Sequence, residues 1–344
     1  MSTNRNITII GCGPAGSLLA TLLAQRNYQV TVFEKRPDMR VENISAGRSI
    51  NLALANRGIT PLEAAGVMSE IKPILTTMEG RMIHDLSGEK TLQKYGQQPH
   101  EVIYSVSRGE LNKILMTKAE STGQVKLHFN SEISEVDFSN KQIQYTTDNK
   151  VEVHHYDILI GADGAASIVR SALKNHFEND ADAIFKINKL DHGYKELTFQ
   201  PFNNEFALEP HALHIWPRGE FMLIALPNED KSFTVTLFLP ETGVESFQSL
   251  TNEQAIEAFF AKYFPDTLAL LPDLTNMFLQ NPTGQLATVR CNRWHLDNDV
   301  LLIGDAAHAV VPFHGQGMNC AFEDCLELVR QLDENDQDWN KVTP

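Results

Sequence analysis

The hydrophobic pattern at both ends of the chain predicts a parallel sheet. Several almost wholly apolar runs occur there, and a helix rich in alanine and leucine, from about 15 to 26, follows the first of them. The first run, this helix and the second run together predict a βαβ unit. Ser107 and Glu110 form a capping-box pattern ahead of an amphipathic helix, and another helix is predicted at about 317–332. The apolar runs are typical of strands buried on both faces, and they lie at residues 6–10, 29–33, 157–160 and 299–304.

A different pattern occupies residues 181–284, where one amphipathic helix is predicted at 251–264. Because the parallel pattern returns after it, we predict an α/β fold with a discontinuous outer domain and an inserted antiparallel-sheet domain. The strands of the inserted sheet are predicted from alternating apolar and polar residues at 211–216, 221–226 and 233–239. The predicted boundaries are 1–75, 101–180 and 285–344 for the outer domain, and 76–100 and 181–284 for the inserted one.

Composition narrows the classes of partner. The chain has 344 residues and a formal net charge of −15, which argues against nucleic acid and anionic membrane as partners. The four cysteines form no CxxC pair, and no histidine cluster has zinc-ligand spacing, so we expect buried thiols and no metal site. Residues 1–6 run directly into a strand, and no apolar run is long enough to span a membrane. We therefore expect a cytoplasmic protein.

A glycine motif follows the first predicted strand. Gly11 is expected to permit the tight turn, Gly13 the approach of a pyrophosphate, and Gly16 the packing of helix on strand. Glu34 ends the second strand, where a carboxylate can accept from both ribose hydroxyls. Because an acid there disfavours a 2′-phosphate, the tightly held dinucleotide is predicted to be FAD or NAD.

A second motif distinguishes FAD from NAD. Asp305 lies in Gly304-Asp305-Ala306-Ala307-His308, after the last buried strand, where its carboxylate can hold the ribitol of a flavin. The backbone amides of Gly317, Met318 and Asn319, at a helix start, can face the pyrimidine end of the flavin ring and stabilise negative charge there. NAD has no ribitol, so we predict tight, noncovalent FAD.

Further residues are candidates for the FAD site. Asp163 and Gly164 fit either a contact near the pyrophosphate or an ordinary turn. Arg108 is either a phosphate partner or a solvated arginine. The predicted cofactor set is completed by Ser17, Lys35 and Arg36, which adjoin these motifs, and by Ala53.

Together these motifs resemble the para-hydroxybenzoate-hydroxylase-like flavin monooxygenases over nearly the whole chain, with a FAD-binding Rossmann-like domain. Four longer stretches are similar to the kynurenine 3-monooxygenase branch of that family, and they are residues 48–54, 80–84, 104–108 and 311–319. The resemblance implies L-kynurenine as substrate, NADPH as a transient reductant and O2 as oxidant, in tryptophan degradation.

The resemblance also implies a substrate site. In that family an arginine and a tyrosine bind the carboxylate of the substrate, and the matching residues are Arg81 and Tyr95. It further implies an aromatic pocket lined by Leu213, Met222, Leu226, Phe238, Pro312, Phe313 and His314. From the residues alone, Arg81 fits a surface salt bridge equally, and the apolar side chains fit ordinary core.

No catalytic base is predicted, although His308 and His314 are candidates by type. In this family a flavin hydroperoxide carries the oxygen transfer, and the aryl amine of kynurenine already donates electrons to its ring. We therefore interpret His314 as a wall of the pocket.

Three alternatives stay open: a related hydroxylase of another aromatic acid, a flavin halogenase, or an FAD-binding fragment without full turnover. The halogenase is disfavoured because the chain has no W-x-W-x-x-P motif. The third arises because family members extend well beyond residue 344.

Overall fold

The structure, a computed structural model, describes residues 6–42 and 51–342. Its strands are β1 (Asn6–Ile10), β2 (Gln29–Phe33), β3 (Asn51–Leu54), β4 (Leu75–Met78), β5 (Gly80–His84), β6 (Lys90–Lys94), β7 (Ile103–Ser107), β8 (Val125–His128), β9 (Glu132–Asp137), β10 (Gln142–Thr147), β11 (Lys150–His155), β12 (Ile158–Gly161), β13 (Phe185–Phe199), β14 (Ala212–Arg218), β15 (Phe221–Pro227), β16 (Phe233–Pro240), β17 (Thr283–Cys291), β18 (His295–Leu296) and β19 (Val300–Leu302). Its α-helices are α1 (Pro14–Ala24), α2 (Asn56–Ala64), α3 (Met68–Ile71), α4 (Arg108–Ser121), α5 (Ile168–His176), α6 (Glu253–Tyr263), α7 (Leu274–Gln280), α8 (Asp305–His308) and α9 (Gly317–Glu334).

A six-stranded sheet forms the centre of the nucleotide-binding part. Its order is β18-β19-β12-β1-β2-β8, and all neighbours are parallel except β18 and β19. The apolar runs predicted as buried strands are β1, β2, β12 and β19, so the α/β prediction is confirmed. Helices α1, α4 and α9 share one hydrophobic core with this sheet. The glycine motif directly follows β1 and therefore lies at the carboxyl end of that strand.

A seven-stranded sheet forms the second large unit, in the order β17-β13-β16-β15-β14-β5-β6. Its neighbours are antiparallel except β14 and β5, which are parallel. Helices α6 and α7 cover one face, where Trp216, Phe260 and Phe264 are fully buried. The other face carries the residues that the sequence assigned to the substrate pocket.

Two three-stranded sheets complete the fold. One has the order β3-β7-β4, and Leu54 and Val106 from it join the core of the nucleotide-binding part. The other has the order β11-β10-β9, and Ile143 and Tyr145 of β10 pack in a further core with Phe33.

Element ends differ from the prediction by one or two residues. Helix α1 ends at Ala24 rather than 26, because Asn27 adopts a left-handed backbone with φ 65°. At the start of α4 the Ser107 hydroxyl accepts from the Glu110 N–H, as the capping box predicts. The Glu110 carboxylate, however, accepts from Lys113 at 2.9 Å rather than turning back to Ser107.

The two large sheets take their strands from interleaved parts of the chain, as the predicted insertion requires, but the domain boundaries themselves stay a prediction. The residues predicted to lead into the first strand, 1–5, and those from Arg48 to Ile50 in the stretch 48–54 lie outside the described residues. Within the described ranges, no helix has both the length and the apolar character needed to cross a bilayer.

Candidate functional site

The glycine turn between β1 and α1 has the geometry that a dinucleotide requires. Gly11 has φ +101°, and a Cβ there would lie 2.5 Å from the carbonyl oxygen of Ala162. A Cβ at Gly16 would lie 2.0 Å from the carbonyl oxygen of Gly11, so helix and turn pack in direct contact. A Cβ at Gly13 would meet no atom within 4 Å. The turn is therefore closed on the protein side and open at Gly13, where a pyrophosphate needs to approach.

Buried polar side chains support this turn from beneath. Asn112 of α4 donates to the carbonyl of Cys12 at 3.0 Å. The Ser17 hydroxyl is fully buried and contacts the same carbonyl at 3.3 Å and the Asn112 side chain at 3.4 Å. The sequence placed Ser17 in the cofactor set, but its hydroxyl is directed into the support of the turn.

Glu34 lies beside the turn at the end of β2. One carboxylate oxygen accepts from the backbone N–H of Cys12 at 3.0 Å, and the other accepts from the backbone N–H and Nε of Arg36 at 3.0 and 2.7 Å. Burial opposes ionisation, but these hydrogen bonds and the nearby guanidinium lower the pKa of Glu34. The side chain is therefore a fixed carboxylate, while Lys35 next to it is exposed.

Asp163 and Gly164 follow β12 next to Gly11. One Asp163 oxygen accepts from the backbone N–H of Ile168 at 2.7 Å, at the start of α5. The other oxygen is buried and has no hydrogen-bond partner among the described residues. Arg170 donates to the carbonyls of Ala165 and, at 2.8 Å, Ala306, which joins this loop to the Asp305 motif.

The Asp305 motif and the start of α9 face each other. A Cβ on Gly317 would lie 3.7 Å from Oδ1 of Asp305. Asp305 is exposed, yet the surrounding protein atoms raise its pKa by reducing its contact with water, while the charges of Arg108 and His308 oppose that shift. The structure thus brings Arg108 into electrostatic contact with the acid predicted to hold ribitol.

The first turn of α9 has no intrahelical partners for its backbone N–H groups, and these belong to Gly317, Met318 and Asn319. The Asn319 side chain is fully buried: its amide nitrogen donates to the carbonyls of Ala53 and Gly315 at 2.8 and 3.0 Å. Ala53 therefore lies against the helix start, so the predicted residues come from three separate segments but lie together.

The pocket residues predicted on the second sheet share one face. Met222 lies opposite Phe238, and Arg81 lies opposite Leu213, in directly paired positions. Alternation along β15 places Leu226 on the same face as Met222. This is the face that α6 and α7 do not cover.

Phe313 connects this face of the sheet to the segment that leads into α9. Its ring is edge-on to that of Phe238, with centroids 5.3 Å apart, and it keeps 38% exposure. Pro312, Phe313 and His314 form a single 3-10 turn, and both Pro312 and His314 are exposed.

Arg81 and Tyr95 lie at the outer edge of the same face. The guanidinium carbon of Arg81 is 5.4 Å from the centre of the Tyr95 ring. The Tyr95 hydroxyl is buried without a hydrogen-bond partner among the described residues. Burial raises the pKa of Tyr95, partly offset by Arg81, so the phenol is a neutral donor beside a cation.

Sequence reasoning missed Asn112 and Asp324. Asn112 occupies the buried face of α4 with Leu115 and Ala119, and an amide at such a position was a usable signal. Asp324 of α9 accepts from the backbone N–H of Gly304 at 2.8 Å and from His308 at 2.6 Å. Asp324 follows another acid, Glu323, on α9, and the sequence gave no signal of that contact.

The arrangement fits FAD. The adenosine diphosphate half suits an open glycine turn and a fixed carboxylate at Glu34. It also suits the Asp163 oxygen, which has no hydrogen-bond partner among the residues that the structure describes. Asp305 and the start of α9 lie beyond them, towards the sheet face that carries Phe238. The nucleotide-binding elements therefore lead to an apolar surface with the Arg81 cation at its edge.

Comparison with known proteins agrees with this geometry. A family model described as "FAD binding domain" matches residues 4–341. A kynurenine 3-monooxygenase from Legionella pneumophila (strain Corby) is 46% identical over 341 residues, covering 99% of this chain and 75% of that protein. A protein of the same name from Stenotrophomonas maltophilia (strain K279a) is 47% identical, covering 97% and 73%.

Solved structures share the fold at lower identity. The tetrameric form of 2-methyl-3-hydroxypyridine-5-carboxylic acid oxygenase has a TM-score of 0.78 at 20% identity, covering 99% of this chain and 85% of that one. PqsL, a probable FAD-dependent monooxygenase from Pseudomonas aeruginosa, has a TM-score of 0.73 at 21% identity, covering 97% and 87%. At these identities the likeness shows the fold alone.

Proposed function

The chain belongs to the kynurenine 3-monooxygenase family of FAD-dependent monooxygenases, and from this premise we propose that it hydroxylates L-kynurenine to 3-hydroxy-L-kynurenine with NADPH and O2. A single observation supports the substrate most directly. Arg81 lies at the edge of an apolar sheet face beside Tyr95, whose buried hydroxyl has no hydrogen-bond partner in the part of the chain that the structure describes. That combination suits an aromatic amino acid, whose ring needs an apolar surface and whose carboxylate needs donors.

Charge makes a local receptor for the carboxylate necessary. The protein has a net charge of −15, so an anionic group entering it meets repulsion unless a cation lies close by. Within the described residues Arg81 makes no salt bridge, so its guanidinium is available for a bidentate contact. The Tyr95 hydroxyl would supply one further donor.

When bound, FAD supplies the chemistry, which is acceptance of hydride from NADPH and activation of O2. The residues of the chain would hold FAD and orient the substrate beside it. Asp305 and the first turn of α9 would hold the ribitol and the pyrimidine end of the ring. Leu213, Met222 and Phe238 would place the substrate ring and keep water from it.

Proton transfer from the substrate ring needs no side-chain base on this proposal. The aryl amine of kynurenine donates electrons to the position beside it, so the ring reacts without prior deprotonation. His314 is exposed on its 3-10 turn and so suits a wall of the pocket better than a base.

The test is product formation. The purified chain is incubated with FAD, NADPH, O2 and kynurenine, and products are identified by mass, with anthranilate and para-hydroxybenzoate in parallel. We expect an added oxygen on kynurenine alone. Hydroxylated anthranilate or para-hydroxybenzoate would instead indicate a related aromatic-acid hydroxylase, and NADPH oxidation that yields only hydrogen peroxide would indicate an FAD protein without hydroxylation.

A second measurement concerns the order of events. The described nucleotide-binding elements form one dinucleotide site, so we propose that NADPH binds transiently. Kynurenine is expected to accelerate flavin reduction, since reduced flavin without substrate wastes O2. Stopped-flow reduction rates that do not change with kynurenine would refute this.

A further inference from the structure

We propose that His308 and Asp324 form a positioning pair for Asp305, and that protonation of His308 strengthens FAD binding. Neither residue is assigned a contact with FAD above. The proposal rests on the proposed function only through FAD, so it holds or fails whether or not kynurenine is the substrate.

One carboxylate oxygen holds both ends of α8. Oδ2 of Asp324 accepts from the backbone N–H of Gly304 at 2.8 Å and lies 2.6 Å from Nε2 of His308. Gly304 has φ +56° and directly precedes Asp305, while His308 ends the same single helical turn. Asp305 therefore lies between two points that Asp324 fixes, and its orientation depends on both.

The charges around His308 favour its cationic form. Asp324 faces it from α9, and Asp305 lies on its own helix. From α4, Arg108 acts on Asp305, and from α5, Arg170 donates to the carbonyl of Ala306.

Strand β17 also packs against α8, and its ionisable side chains are Arg290 and Cys291. The hydrogen bond to Asp324 raises the pKa of His308, and the charges of Asp324 and Asp305 add to that effect, although burial opposes it.

Protonation changes the strength of the clamp without removing it. A neutral imidazole with its proton on Nε2 still donates to Asp324, but the bond is no longer charge-assisted on both sides. Asp305 also loses a nearby cation. If protonated His308 favours FAD binding, bound FAD raises the pKa of His308 further. Affinity is then highest below the pKa of His308 in the apo-protein, which already lies above its ordinary value. Affinity falls as pH rises from there through the higher pKa of the FAD-bound protein.

The test is the pH dependence of FAD affinity in the apo-protein, measured by quenching of flavin fluorescence between pH 6 and pH 9. For the wild type we expect Kd to rise about threefold to tenfold, the difference between a charge-assisted and a neutral hydrogen bond. In His308→Gln and Asp324→Asn, Kd should already be raised at pH 6 and should change little with pH. His155→Gln, which alters an exposed histidine on β11, should follow the wild type.

A purely structural role would lower affinity equally at every pH. If His308→Gln retains the wild-type slope of Kd against pH, the proposal is wrong. If the His308 variant does not fold, judged by its apo melting curve at pH 6, Asp324→Asn carries the same comparison. A wild-type Kd that is constant from pH 6 to pH 9 overturns the proposal without any variant.

Discussion

Replacing Arg81 by alanine tests the carboxylate contact directly. Arg81 is exposed on β5 and makes no salt bridge within the described ranges, and its contact is with the Tyr95 ring at 5.4 Å. Loss of that cation–π contact at an exposed site costs about 0.5–1 kcal/mol of stability. Loss of a charge-assisted bond to the substrate costs about 1.5–3 kcal/mol, a fall in kynurenine affinity of about tenfold to a hundredfold.

The assay is titration of the FAD-loaded protein with kynurenine, followed by flavin fluorescence, beside a decarboxylated analogue. Arg81→Lys should restore only part of the affinity, because an ammonium lacks the planar two-point contact. Tyr95→Phe should cost about 0.5–1.5 kcal/mol of binding. It should not lower the melting temperature, because the hydroxyl that it removes is buried and has no hydrogen-bond partner within the described ranges.

The analogue separates a carboxylate contact from a general effect on pocket shape. For the decarboxylated ligand the Arg81→Ala penalty should nearly vanish, and FAD content should be unchanged in every variant. An equal penalty for both ligands would show that Arg81 shapes the pocket without binding the carboxylate, and the reasoning from charge would be refuted.

Three further predictions concern the glycine turn. Gly11→Ala should abolish FAD binding and lower the melting temperature of the apo-protein, since its Cβ would lie 2.5 Å from the Ala162 carbonyl oxygen. Gly13→Val should also abolish FAD binding but leave that melting temperature unchanged, because a Cβ there meets no protein atom within 4 Å. Equal losses of melting temperature in the two variants would contradict this. Asn112→Ala should destabilise the protein by about 1–3 kcal/mol in urea unfolding, because it leaves the buried carbonyl of Cys12 without that donor, and no loss would refute the support role. Burial raises the pKa of Cys12 to about 12, so at pH 8 the native protein should show no reaction of this thiol with a disulfide reagent, and rapid labelling mapped to Cys12 would disprove that.

The sequence was sufficient for elements whose burial follows a simple period. Strands β1, β2 and β12 are mostly apolar and mostly buried, and the alternation in β14, β15 and β16 predicted both the strands and the faces that their side chains occupy. Strand β13 was missed because its first half is mostly exposed and polar, and its pairing with β17 shifts register between Lys189 and Gly193. Strand β6 was missed for a related reason, since it is exposed at every residue.

The positions of site residues could be predicted where a sequence motif determines the backbone conformation. They were harder to predict where a side chain forms hydrogen bonds with residues distant in sequence. Gly11 and Gly16 have the close contacts that their spacing implied. Ser17 was assigned to the cofactor from its place in the motif, but its hydroxyl is buried with Asn112, a residue 95 positions away. Family membership, predicted from motifs, is confirmed, while the individual site residues stay predictions.

The interleaving of the two large sheets also governs the order in which a chain leaving the ribosome can fold. Strand β5 must wait for β14, and β12 must wait for β19, so neither sheet can close while only the first half has been made. Pairings so distant in sequence form slowly and leave strand edges open to aggregation in the meantime. Asp305 and the start of α9 emerge later still. The nascent chain therefore acquires a complete flavin site only after residue 317 has been synthesised, so the complete site cannot guide the first steps of folding.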